Sequence, residues 1–293
     1  MKNSTPKKQT ASISPIGQPF ITRFAPSPTG HLHKGHAYSA QLAHDRATAE
    51  GGTFLLRIED IDTVRCRPEY TESIFEDLHW LGVSWPEPVR VQSEHFRTYA
   101  EALQKLRDAG LLYPCFCTRK DIMAAGDKTI TGPDGPLYPG TCRHLPAPIG
   151  QDKIARGTPH AWRLDTYKAL ASLQAPLPDW IDEIHGRQKT DPLKFGDVIL
   201  ARKDTPTSYH ISVVVDDALQ NVSHVIRGMD LFEATHIHVL LQTLLGLPTP
   251  VYHHHPLLLE DDGKKFSKSN RSVTLRSLRE AGYAPDEVLK TQP

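Results

Sequence analysis

Two short segments carry residue types that can hold a nucleotide. The first is Arg23-Phe-Ala-Pro-Ser-Pro-Thr-Gly30-His-Leu-His33-Lys-Gly35-His36, and the second, about 230 residues later, is Lys265-Phe-Ser-Lys268-Ser269. His33 and His36 stand one helical turn apart, so both imidazoles can share one face at a helix N-terminus, where backbone N–H groups also favour anions. Gly35 lets a nucleotide approach the backbone closely. Lys264, Lys265 and Lys268 can neutralise phosphates, and Ser267 and Ser269 add hydroxyl donors. Gly263 and the acidic turn Glu260-Asp-Asp262 suit a loop that closes on its substrate. Either segment alone fits a solvated surface. In this order, with Pro-Ser-Pro-Thr-Gly leading from a strand into a helix, they fit a site that grips ATP from both ends.

Activation of a carboxylate by ATP needs little acid–base chemistry, because a group with a reference pKa of about 4 is already ionised at neutral pH. The protein must align that oxygen with the α-phosphorus and stabilise charge building on the phosphates. The expected catalytic groups are His33, His36 and Lys268. The expected ATP-binding set is His33, Gly35, His36, Lys265, Ser267 and Lys268. An amino-acid substrate with a side-chain carboxylate needs cations for its carboxylates and an anion for its ammonium group, and Arg offers the bidentate geometry. Arg23 and Arg227 fall at the ends of predicted strands, where α/β sheets hold ligands. Glu59 ends another strand and suits the ammonium group, and Tyr209 adds a hydroxyl.

Residues 20–24 read as a short buried strand, broken by Pro26 and Pro28. Residues 35–50 read as a helix with an apolar stripe at Ala37, Ala40, Leu42, Ala43 and Ala47. Gly51-Gly52 stops it, and residues 53–58 form a second strand. Strand, helix, strand at this spacing is a βαβ unit, which builds parallel sheets with right-handed crossovers. Residues 69–81 and 96–109 read as amphipathic helices, 208–215 as β-rich, 222–227 as a shorter strand, and 234–245 as a helix closed by Gly246. His253-His-His255 reads as a strand approaching the lysine segment rather than as a metal site. The predicted class is α/β: a Rossmann-like, doubly wound parallel sheet with an inserted zinc-containing subdomain.

That insertion starts near Tyr113, where Cys, Gly and Pro come to dominate. A segment of this kind buries little surface, so a metal clip would supply its folding energy. Cys115, Cys117 and Cys142 leave a tetrahedral zinc one ligand short, and by ordinary chemistry His144 is the candidate for the fourth. Cys66 stands apart. The 293 residues carry 34 Lys plus Arg against 34 Asp plus Glu, so the net charge is zero and any RNA contact must use local patches. No apolar run approaches the length of a membrane span, and the first nineteen residues lack a signal's apolar stretch. They read as a disordered tail, and the expected location is the reducing cytoplasm.

The two nucleotide segments resemble the HIGH and KMSKS motifs of class I aminoacyl-tRNA synthetases, as His33-Lys-Gly-His36 and Lys265-Phe-Ser-Lys-Ser269. Arg23-Phe-Ala-Pro-Ser-Pro-Thr-Gly, together with Leu56-Arg-Ile-Glu59-Asp-Ile-Asp62, is similar to the glutamate branch, and the likeness runs from about Ile21 to Leu275. It implies a glutamate site at Arg23, Phe24, Ala25, Pro26, Ser27, Glu59, Tyr209 and Arg227, with ATP and Mg2+ as partners. About two dozen residues follow Ser269, where full-length glutamyl-tRNA synthetases carry a large anticodon-binding region. In this respect the chain resembles the glutamyl-Q tRNA(Asp) synthetases. That likeness implies one structural Zn2+ on Cys115, Cys117, Tyr138 and Cys142, with Tyr138 in place of His144. It also implies activation of L-glutamate without tRNA, and transfer to the queuosine base at the wobble position of tRNA(Asp) by a monomer with no membrane partner. The implied organisation is 1–19 tail, 20–112 first catalytic half, 113–190 zinc-binding insertion and acceptor-type subdomain, and 191–293 second catalytic half, with no anticodon-binding domain. His36 departs from this subgroup, where a smaller polar residue is usual. It brings the motif nearer the alternative of a shortened glutamyl-tRNA synthetase charging a tRNA 3′ end. A non-catalytic tRNA-binding paralogue would be expected to have lost part of the lysine motif or the glutamate pocket.

Overall fold

The computed structural model describes residues 19–126, 130–258 and 273–290. Strand β1 (Ile21–Phe24), helix α1 (Lys34–Ala49) and strand β2 (Thr53–Ile58) form the expected βαβ unit, with β1 and β2 parallel and Ile21 opposite Thr53. Helix α1 buries Ala37, Ala40, Ala43 and Ala47, small side chains that let it lie close on the sheet. A Cβ on Gly52 would collide with the Phe20 carbonyl, so the return into β2 needs glycine there.

Helix α2 (Pro68–Trp80) leads to β3 (Arg90–Val91), parallel to β2, and then to α3 (Phe96–Asp108). Next come β4 (Leu112–Cys115), α4 (Arg119–Ala125), the hairpin strands β5 (Thr131–Gly132) and β6 (Gly135–Pro136), α5 (Ala147–Ala155), β7 (Ala161–Leu164) and α6 (Thr166–Ala171). Strands β8 (Trp180–Asp182), β9 (Gly186–Gln188) and β10 (Ile199–Ala201) precede α7 (Tyr209–Leu219), β11 (His224–Gly228), α8 (Thr235–Leu245), β12 (Val251–His255), α9 (Leu275–Glu280) and α10 (Pro285–Leu289).

Strand β11 pairs parallel with β12, and β12 with β8. Ser223 joins this set to β1: its N–H donates to the Ile21 carbonyl at 3.0 Å, and its Oγ accepts from the Ile21 N–H at 2.8 Å. The spatial order is therefore β3-β2-β1-β11-β12-β8, with β9 antiparallel at the edge. Strand order reverses between β1 and β11, which is where doubly wound sheets bind ligands. Strands β10, β7 and β4 make a separate antiparallel sheet. Its Leu164 and Leu200 share one buried cluster with Tyr99 and Leu106 of α3, Ile211 of α7 and Leu240 of α8. No helix among the described residues is long and apolar enough to cross a membrane.

One element differs from the sequence reading. Residues 208–215, expected as β-rich, begin helix α7, with Ser208 at its N-cap. Every residue from Ile211 to Asp217 is buried, so the apolar run reflects a helix enclosed on all sides, which leaves no amphipathic period to read.

Candidate nucleotide and amino-acid site

A cavity of about 510 Å³ opens at the reversal point between β1 and β11. Arg23 and Phe24 reach it from the end of β1, followed by Ala25, Pro26 and Ser27 in the turn. His33, Gly35 and His36 reach it from the start of α1, Glu59 from the end of β2, Tyr209 from the start of α7, and Arg227 from β11. All the residues expected to bind ATP or glutamate border this one cavity, so far as they lie among the described residues. Lys265, Ser267 and Lys268 lie outside the described residues, as do Lys264 and Ser269. Both described flanks of that segment reach the site. Leu258 lines the cavity, while Thr274 bridges to His33 and the Leu275 N–H donates to the Leu32 carbonyl at 2.8 Å.

At the start of α1 the rings of His33 and His36 lie 3.8 Å apart, and His36 Nδ1 accepts the His33 N–H at 3.2 Å. A neutral His36 then carries its proton on Nε2, the donor form that a phosphate oxygen needs. These groups sit at the positive end of the α1 dipole. Gly228 is fixed by close approach: a Cβ there would lie 2.6 Å from Asp230 Oδ1 and 2.8 Å from Leu257 Cδ2.

The part of the cavity bordered by Arg23 and Glu59 rests on a buried charge network that sequence reasoning missed. Arg23 Nε donates to Asp217 Oδ1 at 2.9 Å. Arg57, with no exposed surface, meets Asp217 at 2.8 Å, Glu59 at 3.2 Å and Asp216 at 3.8 Å. Arg90, Gln92 and Tyr99 complete the partners of Asp216 at 2.7–2.8 Å. Burial opposes the Arg57 charge, but the Asp217, Glu59 and Asp216 carboxylates win and raise its pKa. Burial raises Glu59 above its ordinary value, against the pull of Arg57 and Arg23. For Asp217 the same two arginines overcome burial and lower the pKa. A signal for Arg57 is present in the sequence, since strand residues two apart share a face and Arg57 stands two before Glu59. Around one volume the cavity thus sets two guanidiniums, a carboxylate and a phenol, a set complementary to a zwitterion bearing a second carboxylate.

At the far end of β4, the thiols of Cys115, Cys117 and Cys142 lie within 4.8 Å of one another, the group of described residues able to hold a metal. Cys117 Sγ is 3.5 Å from Cys142 Sγ, and Tyr138 Oη is 3.4 and 3.5 Å from the sulfurs of Cys115 and Cys117. A tetrahedral zinc, with bonds of about 2.3 Å to sulfur and about 2.0 Å to oxygen, spaces its ligands by about 3.5–3.8 Å. The Cys117–Cys142 and Tyr138 separations lie close to that spacing, and Cys115 is within 4.8 Å of both other thiols. His144 is exposed and does not join the group. Arg163 stacks its guanidinium 3.9 Å from the Tyr138 ring centre.

Comparison with known proteins agrees with this geometry. A family model described as tRNA synthetases class I (E and Q), catalytic domain, matches residues 20–291. The chain is 47% identical over 272 residues to a glutamyl-Q tRNA(Asp) synthetase of Rhodobacter capsulatus, covering 92% of this chain and 98% of that one. It is 40% identical over 267 residues to a glutamate–tRNA ligase of Aquifex aeolicus, covering 91% of this chain but 55% of the relative. The crystal structure of a glutamate-tRNA synthetase from Elizabethkingia anophelis superposes with a TM-score of 0.77 at 27% identity, over 93% of this chain and 61% of that one. With a sheet that reverses at a cavity, the His33–His36 pair on the first helix, and a family match over nearly all of its described length, the chain belongs to the class I tRNA synthetases (E and Q), as a catalytic domain of that family.

Proposed function

We propose that the protein activates L-glutamate with ATP, without needing tRNA, and passes the glutamyl group to the queuosine base at the wobble position of tRNA(Asp). In the first step a glutamate carboxylate oxygen attacks the α-phosphorus and pyrophosphate leaves. In the second, a nucleophile of the base attacks the activated carbonyl carbon and AMP leaves. His33, His36 and Lys268 stabilise the phosphates during the first step, with Gly35, Lys265 and Ser267 completing the ATP contacts. Arg23 and Arg227 hold glutamate carboxylates, Glu59 and Tyr209 hold its ammonium group, and Phe24–Ser27 shape the wall. Cys115, Cys117, Tyr138 and Cys142 hold a structural Zn2+, which supplies folding energy to the insertion and takes no part in the chemistry.

The observation that carries this reading is the meeting of His33, His36, Arg23, Glu59, Tyr209 and Arg227 around one cavity. The choice of acceptor rests on the Rhodobacter relative, which is named a glutamyl-Q tRNA(Asp) synthetase and which the chain matches along 98% of its length. The test is incubation with labelled glutamate, ATP and tRNA(Asp), with and without queuosine. Labelling that requires queuosine and survives removal of the 3′-terminal adenosine is expected. Labelling that needs the 3′ adenosine instead would favour a glutamyl-tRNA synthetase, a reading that the histidine at position 36 supports.

A further inference from the structure

Arg227 is held by more protein partners than a substrate-binding arginine needs. Nε donates to His254 Nε2 at 2.9 Å. One Nη is shared between His238 Nδ1 at 3.3 Å and Tyr209 Oη at 3.4 Å. The other donates to the Leu231 carbonyl at 3.1 Å and to Thr235 Oγ1 at 2.7 Å. All five N–H donors are thus engaged.

A guanidinium only donates, so each histidine nitrogen facing it must accept. His254 then carries its proton on Nδ1, which donates to Asp182 Oδ2 at 2.7 Å. His238 carries its proton on Nε2, which faces His210 Nδ1 at 3.3 Å, and His210 turns its own Nε2 towards Asp134 at 3.4 Å. Two histidine chains, each ending on a carboxylate, therefore converge on one arginine with every proton placed. Asp134 lies in the turn between β5 and β6, so the second chain runs from the insertion into the amino-acid pocket.

We propose that His254 and His238 are positioning residues for the amino-acid substrate, acting through Arg227, with their tautomers set by Asp182 and His210. The inference rests on the glutamate reading above. As neutral acceptors they hold the guanidinium at Nε and at one Nη and add no positive charge beside it. Consistent with this, burial pushes His254 down to about 4 despite its bond to Asp182, and burial with the Arg227 charge holds His238 well below its ordinary value. The bond that a carboxylate can displace is the long one to Tyr209 at 3.4 Å, because Tyr209 borders the cavity and can donate its own O–H to the newcomer.

The test measures glutamate-dependent exchange of labelled pyrophosphate into ATP. His254→Phe removes the acceptor and should raise the KM for glutamate by about tenfold to a hundredfold, the range for a lost hydrogen bond to a charged group. The KM for ATP and kcat should stay put. His254→Gln places an oxygen near the Nε2 position and should recover most of the loss. His238→Leu, nearly volume-conserving, carries the same test where His254→Phe fails to fold, with His238→Asn as its rescue. An unchanged KM for glutamate, or equal rises for glutamate and ATP, would overturn the positioning role while leaving the glutamate reading intact. Absence of any glutamate-dependent exchange by the unaltered protein would overturn both.

Discussion

Arg57 shows how much of the site depends on a residue that touches no substrate. It is fully buried and offsets Asp217, Glu59 and Asp216 at once. Asp217 in turn orients Arg23 at the cavity wall. Removing one member of such a buried set leaves the others uncompensated, which costs about 3–5 kcal/mol. Arg57→Met should therefore lower the urea unfolding free energy by about that amount. Arg57→Met combined with Asp217→Asn should lose clearly less than the sum of the two single changes, because the second removes a charge the first had stranded. Strict additivity would show that the pair does not interact. The cavity residues themselves were legible, because Arg23, Glu59 and Arg227 end strands and ligands sit at strand ends. The network behind them was not. Its partners come from β2, β3, α3 and α7, and no local pattern links residues 57, 90, 99 and 216.

At the scale of elements, Glu183 ties three of them together. It follows β8, receives a two-pronged bond from Arg46 of α1 at 2.8 and 2.9 Å, and meets His253 of β12 at 2.8 Å. Burial would raise this carboxyl, but the bonds to His253 and Arg46 win and hold it near 2, below its ordinary 4.5. A depressed folded pKa gives stability that is present above the unfolded value and lost as pH falls towards the folded one. The Glu183 contribution should thus be complete above pH 4.5 and fade between 4.5 and about 2. Glu183→Gln should cost about 3 kcal/mol at pH 7, from the size of that shift. Thermal unfolding of both proteins at pH 7, 5 and 4 checks this, and a gap that stays constant below pH 4.5 would rule out an ionic tie. The same scale explains the misread element. In α7 the adjacent Asp216 and Asp217 must both point inwards to reach Arg57, Arg23 and Arg90. Consecutive strand residues face opposite sides, whereas a fully enclosed helix can bury both. The β-branched run Val213-Val214-Val215 reflected that enclosure, so propensity lost to tertiary context.

Across the whole molecule, the Cys and Tyr donors form their own small cluster. Tyr113, Cys115, Tyr138 and Cys142 pack with Phe116, Cys117 and Ile122. The sheet beneath them belongs instead to the core of α3, α7 and α8. Asp197 joins the two, accepting from Tyr113 Oη and Arg143 Nε beside the cluster and from the Thr166 N–H on α6. Metal loss therefore has a ceiling: once the cluster opens locally, further metal binding energy no longer bears on the rest of the fold. Treatment with a strong chelator should leave the main unfolding transition cooperative and lower its midpoint by only about 5 °C or less. Three additional thiols should become reactive, those of Cys115, Cys117 and Cys142, over the count measured without chelator. New proteolytic sites should fall between Cys115 and His144, and Cys142→Ser should reproduce the midpoint shift and the cleavage without chelator, with two additional reactive thiols, those of Cys115 and Cys117. Collapse of the whole transition on metal removal would mean that the cluster is part of the main core. An unchanged thiol count would mean that no metal is held there.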